Sequence, residues 1–494
     1  MSGRPALVMA VTLLATSALA ADEIHWTMIS PTAVSFDWRG SGQTLRYGLT
    51  TSYGSTATGQ APGITPVSSA GPFWEAKLTG LQAGKTYHYS LDGGPDHTFQ
   101  PLPAPGASFT VYTEGDIGSS AYPSMAGVQA LIASGRPTFV LGLGDYGYSI
   151  DHGVAAIDQH FNDVMVWSQD AAYMPIWGNH EWTDSTEDLR EYKGRFDLPN
   201  AQASPGSPAV SCCGEDWYWF DAGNVRFIAY PEPYTGAWTA WKTSATTLMD
   251  EAQANPAIRF IVTFGHRAAY SSGSHAGLAT IRSILDTLGV HHGKYVLNLN
   301  GHSHDFERTT PQFGVTHITV GIGGATLEEA SGACIWAGGC PPPAWSLLRL
   351  YHHGALRLAF GPTSIQGQLF CGPNSAHDDM TCTSGQLLDL FTITGQGVTA
   401  APPSAPIGLA MEAIRPNPAV SSFTLEYSLV DGGEVRLELL DVAGRVARQI
   451  ALAPAGPGRN QALVSAPRDL GPGIYWLRLT QSGRSVRRSV VLLP

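Results

Sequence analysis

Between residues 108 and 395, one pattern recurs five times: an apolar run ends in a glycine, and a polar side chain follows at once. The pairs are Gly115-Asp116, Gly144-Asp145 (with Tyr148 three further on), Gly178-Asn179 (with His180 and Glu181), Gly265-His266 and Gly301-His302 (with His304). The apolar runs, at 109–113, 138–143, 173–177, 226–230, 259–264 and 295–299, read as buried strands. Helix-period segments at 124–133, 154–170, 239–254 and 278–288 separate them. Apolar strands alternating with helices specify an α/β domain, and such sheets place ligands beyond their strand ends. Glycine before each polar group lets the chain turn sharply and lets a ligand approach closely. Further strands near 347–350, 356–360 and 387–392 close the domain.

The flanks read differently. Residues 22–105 alternate apolar and polar in short runs punctuated by Gly and Pro, as a small β-sandwich does. A stiff linker is expected at 101–105. A Pro-rich linker at 396–406 precedes another alternating stretch at 407–494, read as a second β-sandwich. Charged residues are only 14% of the chain, and hydrophobic residues are 43% with 13 Trp. That excludes a mostly disordered chain and a coiled coil. The net charge is −12 and no basic block exceeds two residues, so no nucleic-acid-binding surface is evident.

Residues 1–20 read as a signal peptide: Arg4 starts it, an apolar run spans 6–15, and Ala18-Leu19-Ala20 is a small-x-small cleavage site. The run is shorter than the ~20 apolar residues of a membrane span, so no transmembrane segment is expected. The expected location is therefore secreted or cell-surface. Six cysteines in close pairs agree with export: Cys212/Cys213, Cys334/Cys340 and Cys371/Cys382. Six cysteines allow 15 pairings; the short spacings favour Cys334–Cys340 and Cys371–Cys382 as loop staples. No pair of CxxC motifs marks a zinc ribbon.

Taken singly, a Gly-Asp pair reads as a turn and a lone His as a hydrogen-bonded structural residue. Taken together, Asp116, Asp145, Tyr148, Asn179, His266, His302 and His304 are ligands for hard-to-borderline metal ions, each at a strand terminus. His302 and His304 are two apart and share one face of an extended segment, so they can serve neighbouring ions. A carboxylate such as Asp145 can bridge two cations. Two ions ~3.5–4 Å apart can clamp both the attacking and the leaving oxygen of an in-line phosphoryl displacement.

In order, GDIG, GDYGY, GNHE, GHRAAYSSGSH and GHSHDFER resemble the five blocks of the metallophosphoesterases, and specifically the purple acid phosphatase branch. Gly118 stands where other branches have His, and Tyr148 stands three after Asp145 as in the purple enzymes. LRYG and LTGLQAGKTYHYSL within 22–105 are similar to the fibronectin-III-like domain preceding many of these phosphatases. PNP, LLDVAGR and LGPGIYWLRL in 407–494 resemble the C-terminal sorting modules of bacterial exported proteins. The fold implied is a four-layer αββα metallophosphoesterase sandwich, spanning 108–395, between two β-sandwiches. By the same resemblance, Asp116, Tyr148 and His304 hold Fe(III). Asn179, His266 and His302 hold Fe(II), Zn(II) or Mn(II), with Asp145 bridging.

The activity implied is hydrolysis of phosphomonoesters, with a metal-bound hydroxide attacking phosphorus in line. His180 and His275 are the candidates to protonate the leaving alkoxide. The same two-metal site could serve phosphodiesters or nucleotides, and a protein of another class, a non-catalytic secreted binding protein, would be marked by lost ligands. Glu181 is expected to support a neighbour by hydrogen bonding and Arg308 to form a structural ion pair. Trp167, Trp177, Trp217 and Trp219 are expected to pack. The doublets His291-His292 and His352-His353 show no ligand spacing, so no further metal is expected there.

Overall fold

The computed structural model describes residues 21–182, 189–205, 214–232, 237–328, 336, 341–376, 378–395, 409–420, 422–429, 435–452, 458–465 and 470–493. The signal peptide expected over residues 1–20, the linker expected over 396–406 and the pairs Cys212/Cys213 and Cys334/Cys340 lie outside them. The chain forms two compact units, Met1–Gly397 and Val398–Pro494.

The first unit opens with two small antiparallel sheets. One joins β1 (Asp22–Ser30), β2 (Ala33–Arg39) and β5 (Phe73–Leu78); the other joins β3 (Thr44–Gly48), β4 (Ser55–Thr58), β6 (Tyr87–Leu91) and β7 (His97–Phe99). Their alternating apolar residues meet: the Phe36 ring lies 4.7 Å from Tyr89 and 5.1 Å from Phe99. The core then runs without a break into the α/β region. The 101–105 segment is packed rather than free, since Pro101 and Leu102 are buried and the Pro103 carbonyl accepts the Gly223 N–H at 2.9 Å. Across the same seam, buried Arg195 binds Glu23 of β1 at 2.8 Å. Arg195 and Arg39 of β2 each reach Asp158 at 2.5 Å.

The α/β region has two mixed sheets. The first runs β10 (Ala172–Pro175), β9 (Phe139–Gly142), β8 (Phe109–Glu114), β18 (Gly354–Phe360), β19 (Ser364–Cys371), β20 (Leu387–Thr394). The second runs β11 (Trp219–Ala222), β12 (Val225–Ala229), β13 (Phe260–Phe264), β14 (Tyr295–Asn300), β16 (Thr316–Val320), β15 (Phe306–Thr309), β17 (Ser346–Leu350). The sheets face each other through phenylalanines: Phe227 lies 5.7 Å from Phe139 and 5.4 Å from Phe360. Helix α1 (Met125–Ser134) packs on the first sheet, and α3 (Ala279–His291), beside α2 (Ala237–Ala254), packs on the second. This is a metallophosphoesterase fold of layered helices and mixed sheets.

Several expectations are corrected here. The helix expected over 154–170 is broken into Ala155–Asp163 and Met165–Ser168. Strands β11, β15, β16 and β19 are not among the expected strands and complete the two sheets. The second unit has its own apolar core around Phe423, Leu437 and Leu477. It contains a three-stranded sheet, β21 (Ala410–Arg415), β22 (Ser422–Leu429), β25 (Gly458–Ser465). It also contains a four-stranded one, β24 (Val446–Ile450), β23 (Val435–Leu440), β26 (Gly473–Gln481), β27 (Arg484–Leu492).

Candidate metal centre

Strand register builds the site. β8, β9 and β10 are parallel, and Glu114, Gly142 and Pro175 stand level across them. Asp116, Asp145 and Asn179 follow by two, three and four residues, so all three emerge at one sheet edge. In the second sheet β13 and β14 are also parallel, with Phe264 level with Leu299, which delivers His266 and His302 to one edge as well. The two edges meet.

All nine residues singled out in the sequence gather there. Around one point, the Tyr148 phenol lies 3.1 Å from His304 Nε2 and 3.4 Å from Asp116 Oδ1, and His304 Nε2 lies 3.3 Å from Asp116 Oδ1. Around another, His266 Nε2 lies 3.1 Å from Asp145 Oδ2, 3.2 Å from Asn179 Oδ1 and 3.2 Å from His302 Nδ1. Ligands at ~2.1 Å from one ion stand ~3.0–3.4 Å apart in tetrahedral or octahedral spheres. Both donor sets match that spacing. Two buried carboxylates and a phenol, with three imidazoles and an amide oxygen, are the donor chemistry of a dinuclear centre.

The inward nitrogens are set by outer partners. His266 Nδ1–H donates to the Leu143 carbonyl at 2.8 Å and His304 Nδ1–H to the Thr326 carbonyl at 2.6 Å, turning each Nε2 into the site. The Asp116 carboxylate accepts the His302 N–H at 2.8 Å, and that of Asp145 accepts the His180 N–H at 2.8 Å. Glu181 accepts the N–H groups of Asp145, Tyr146 and Gly178 at 2.7, 2.8 and 2.6 Å, so it knits two ligand loops together as expected.

The sharp turns fall mainly on the ligands rather than on the glycines before them. Asp116, Asp145, Tyr148 and His302 have φ of 56°, 60°, 49° and 71°. Each such residue costs roughly 1 kcal/mol or more, strain that clusters at functional sites. Gly178 serves by size: a Cβ there would stand 2.2 Å from Asp145 Oδ1.

Without cations, protons take their place. Burial pulls His266 and His304 down, but the carboxylates of Asp145 and Asp116 outweigh it and raise the two imidazoles to about 10 and about 9. Burial, His266 and Arg267 hold His302 well below the usual imidazole range. Burial and the two nearby carboxylates raise the Tyr148 phenol. A cation must displace these protons to bind.

His180 packs on Tyr148, ring centroids 4.3 Å apart, with Nε2 4.0 Å from Asp145 Oδ2. His275 stacks on His302 at 4.3 Å. Its Nε2 lies 2.8 Å from Glu328, which also accepts from Ser274 Oγ at 3.0 Å. Sequence reasoning missed Glu328, although it follows a sixth strand-then-glycine cluster at Gly321–Gly324. It also missed Arg267, which is held by Glu232 at 2.6 Å and lies 3.2 Å from His302 Nε2. Arg308 pairs with Asp389 at 2.7 Å, Trp167, Trp177 and Trp217 are buried, and Trp219 lies under Arg226, as expected.

Residues 109–306 match the family model described as Calcineurin-like phosphoesterase. The fold is similar to a purple acid phosphatase, PPD1, from seeds of yellow lupin (Lupinus luteus): TM-score 0.57 at 18% identity, covering 76% of this chain and 74% of that one. It is also similar to PhoD, with TM-score 0.52 at 11% identity, covering 76% of this chain and 91% of that one. No curated protein matches the chain. The fold is that of the metallophosphoesterases, and the calcineurin-like phosphoesterase match falls on residues 109–306 within it.

Proposed function

We propose that the chain is an exported, binuclear metal-dependent phosphatase acting on phosphomonoesters, of the purple acid phosphatase kind. One observation carries the reading: two donor sets, each spaced for one ion, side by side at the meeting sheet edges. Asp116, Tyr148 and His304 would hold Fe(III), whose hardness suits a phenolate. Asn179, His266 and His302 would hold Fe(II), Zn(II) or Mn(II), with Asp145 between them. Ions bound there supply Lewis acidity toward water and toward phosphoryl oxygens.

The chain's own side chains do the rest. Glu181 and Asp145, accepting backbone N–H groups from neighbouring ligand loops, keep those loops in register. His275, held by Glu328, stands over His302 as the proton donor to the leaving alkoxide. His180, packed on Tyr148, lines the same opening. Export is supported by residues 1–20 and by the disulfide Cys371–Cys382. Among the described residues, no helix is long and apolar enough to cross a membrane. The two N-terminal sheets are read as a fibronectin-III-like domain, and the second unit as a sorting module recognised by export machinery.

The test is purified protein assayed for metals, visible absorption and turnover of p-nitrophenyl phosphate beside its diester analogue. Two metals per chain, a tyrosinate-to-iron band and preferential monoester turnover are expected. A diester preference would replace the substrate assignment while keeping the site; no turnover of either ester at full metal content would overturn the reading. Less than one iron with no visible band would remove Fe(III) from the first set.

A further inference from the structure

The disulfide Cys371–Cys382 has a companion that chain order does not reveal. His352, fully buried and nineteen residues before Cys371, lies with both sulfurs so that the three ligand atoms are within 4.8 Å of one another. Its Nδ1–H donates to the His353 carbonyl at 2.7 Å, which fixes the ring and leaves Nε2 as the inward nitrogen. Around Nε2 stand Asn374 Oδ1 at 3.0 Å, Asp378 Oδ2 at 3.3 Å and Cys382 Sγ at 3.4 Å. The Asn374 amide is oriented by the Cys382 N–H, which its oxygen accepts at 3.2 Å. Asp378 is buried as well, 4% exposed. Nitrogen, oxygen and sulfur lone pairs thus converge on one small volume beside the ring.

We propose that these residues form a redox-gated metal site: closed as a disulfide when oxidised, and a Zn(II) site of Cys371, Cys382, His352 and Asp378 when reduced. Two thiolates, an imidazole and a carboxylate are a zinc donor set, and zinc bonds of ~2.1 and ~2.3 Å place N and S ~3.5 Å apart. Cys382 Sγ and His352 Nε2 already stand at that distance, 3.4 Å. Cys382 is half-buried, so a reductant can reach it, and residues 372–376 and 378–386 belong to neither strand, so the sulfurs can part. In reduction by a dithiol, the S–S bond breaks and the two cysteines take up two electrons and two protons. The dithiol becomes a disulfide. Zn(II) then binds both sulfurs as thiolates and the two protons are released. The site shares no residue with the candidate phosphoesterase ligands and does not depend on their assignment.

The experiment uses the full chain with its resident metals, treated with a phosphine because dithiols themselves chelate zinc. The protein is exposed to zinc, desalted and analysed oxidised and reduced. Reduced wild type should gain one zinc per chain over oxidised. The gain should vanish in His352→Ala and in the double variant Cys371→Ser/Cys382→Ser, with phosphate-ester turnover unchanged in His352→Ala. Co(II) in place of zinc should give a thiolate-to-metal absorption in reduced wild type alone. No gain on reduction, an equal gain without reduction, or a gain that persists in either variant (zinc held by the other four cysteines) would overturn the proposal. Should His352→Ala not fold, the double variant and the cobalt absorption decide.

Discussion

The two donor sets meet at one opening but are built from different chemistry. One combines the Asp116 carboxylate and the Tyr148 phenol with a single imidazole, His304. The other surrounds the Asp145 carboxylate with neutral donors, Asn179, His266 and His302. Both draw ligands from both sheets, so neither could form on one sheet alone. Their protons differ too. Loading the first set must remove one from the raised His304 and one from the raised Tyr148 phenol; loading the second must remove one from His266, because His302 is held neutral. The proposed assignment of Fe(III) to the first set and a divalent ion to the second rests on this contrast between hard and borderline donors.

The most severe way to break this contrast is Asp145→Ala. The residue belongs to the second set and raises the Tyr148 phenol of the first. Elemental analysis should show both metals depleted, and kcat/KM should fall by well over the ~100-fold typical of losing an outer partner of a ligand. Retention of either metal at full content would restrict Asp145 to one set.

Tyr148→Phe separates the sets. It should abolish the visible band and deplete the first ion while the second stays near full occupancy, with turnover down on the order of 100-fold. Parallel loss of both metals would mean that the sets fill as one.

His275→Gln and Glu328→Gln should spare both metals and lower kcat by roughly 10- to 100-fold. The loss should be larger for an alkyl phosphate than for p-nitrophenyl phosphate, whose leaving group needs little protonation. Equal losses on the two substrates would make His275 a structural residue.

The smallest effect concerns the stability of metal-free protein. A folded-state pKa raised above the unfolded imidazole value of ~6.5 gives stability that is full below that pH. For His304 and His266 this stability is lost as pH climbs through about 9 and about 10. Thermal unfolding should therefore show the melting temperature of the apo protein dropping from pH 6.5 to 10, while that of loaded protein stays flatter. Calorimetry in buffers of different ionisation enthalpy should show more protons released from side chains on loading the first set than on loading the second.

Much of this was legible locally. Six of the candidate ligands sit two to four residues past a strand end and Tyr148 sits six past, and parallel pairing in near-level register carries that local spacing into a shared edge. Other contacts were not legible. His275 and Glu328 are 53 residues apart and meet because the loops after β13 and β16 converge. The packing of 101–105 depends on Gly223, far along the chain. His352 showed no ligand spacing, and its neighbours Asp378 and Cys382 reach it through a loop that the strand pattern leaves unspecified.

By itself, then, the amino-acid order determined the strand ends, the seven candidate ligands and the tyrosine in place of histidine, because those depend on periodicity and on residue chemistry at fixed short offsets. Tertiary structure alone decided which ring nitrogens face inward, where backbone strain is stored, what holds His275, and that the 371–382 disulfide lies against a buried histidine. Those features depend on atoms brought within about 4 Å by packing between distant segments, and no local pattern in the chain encodes such distances.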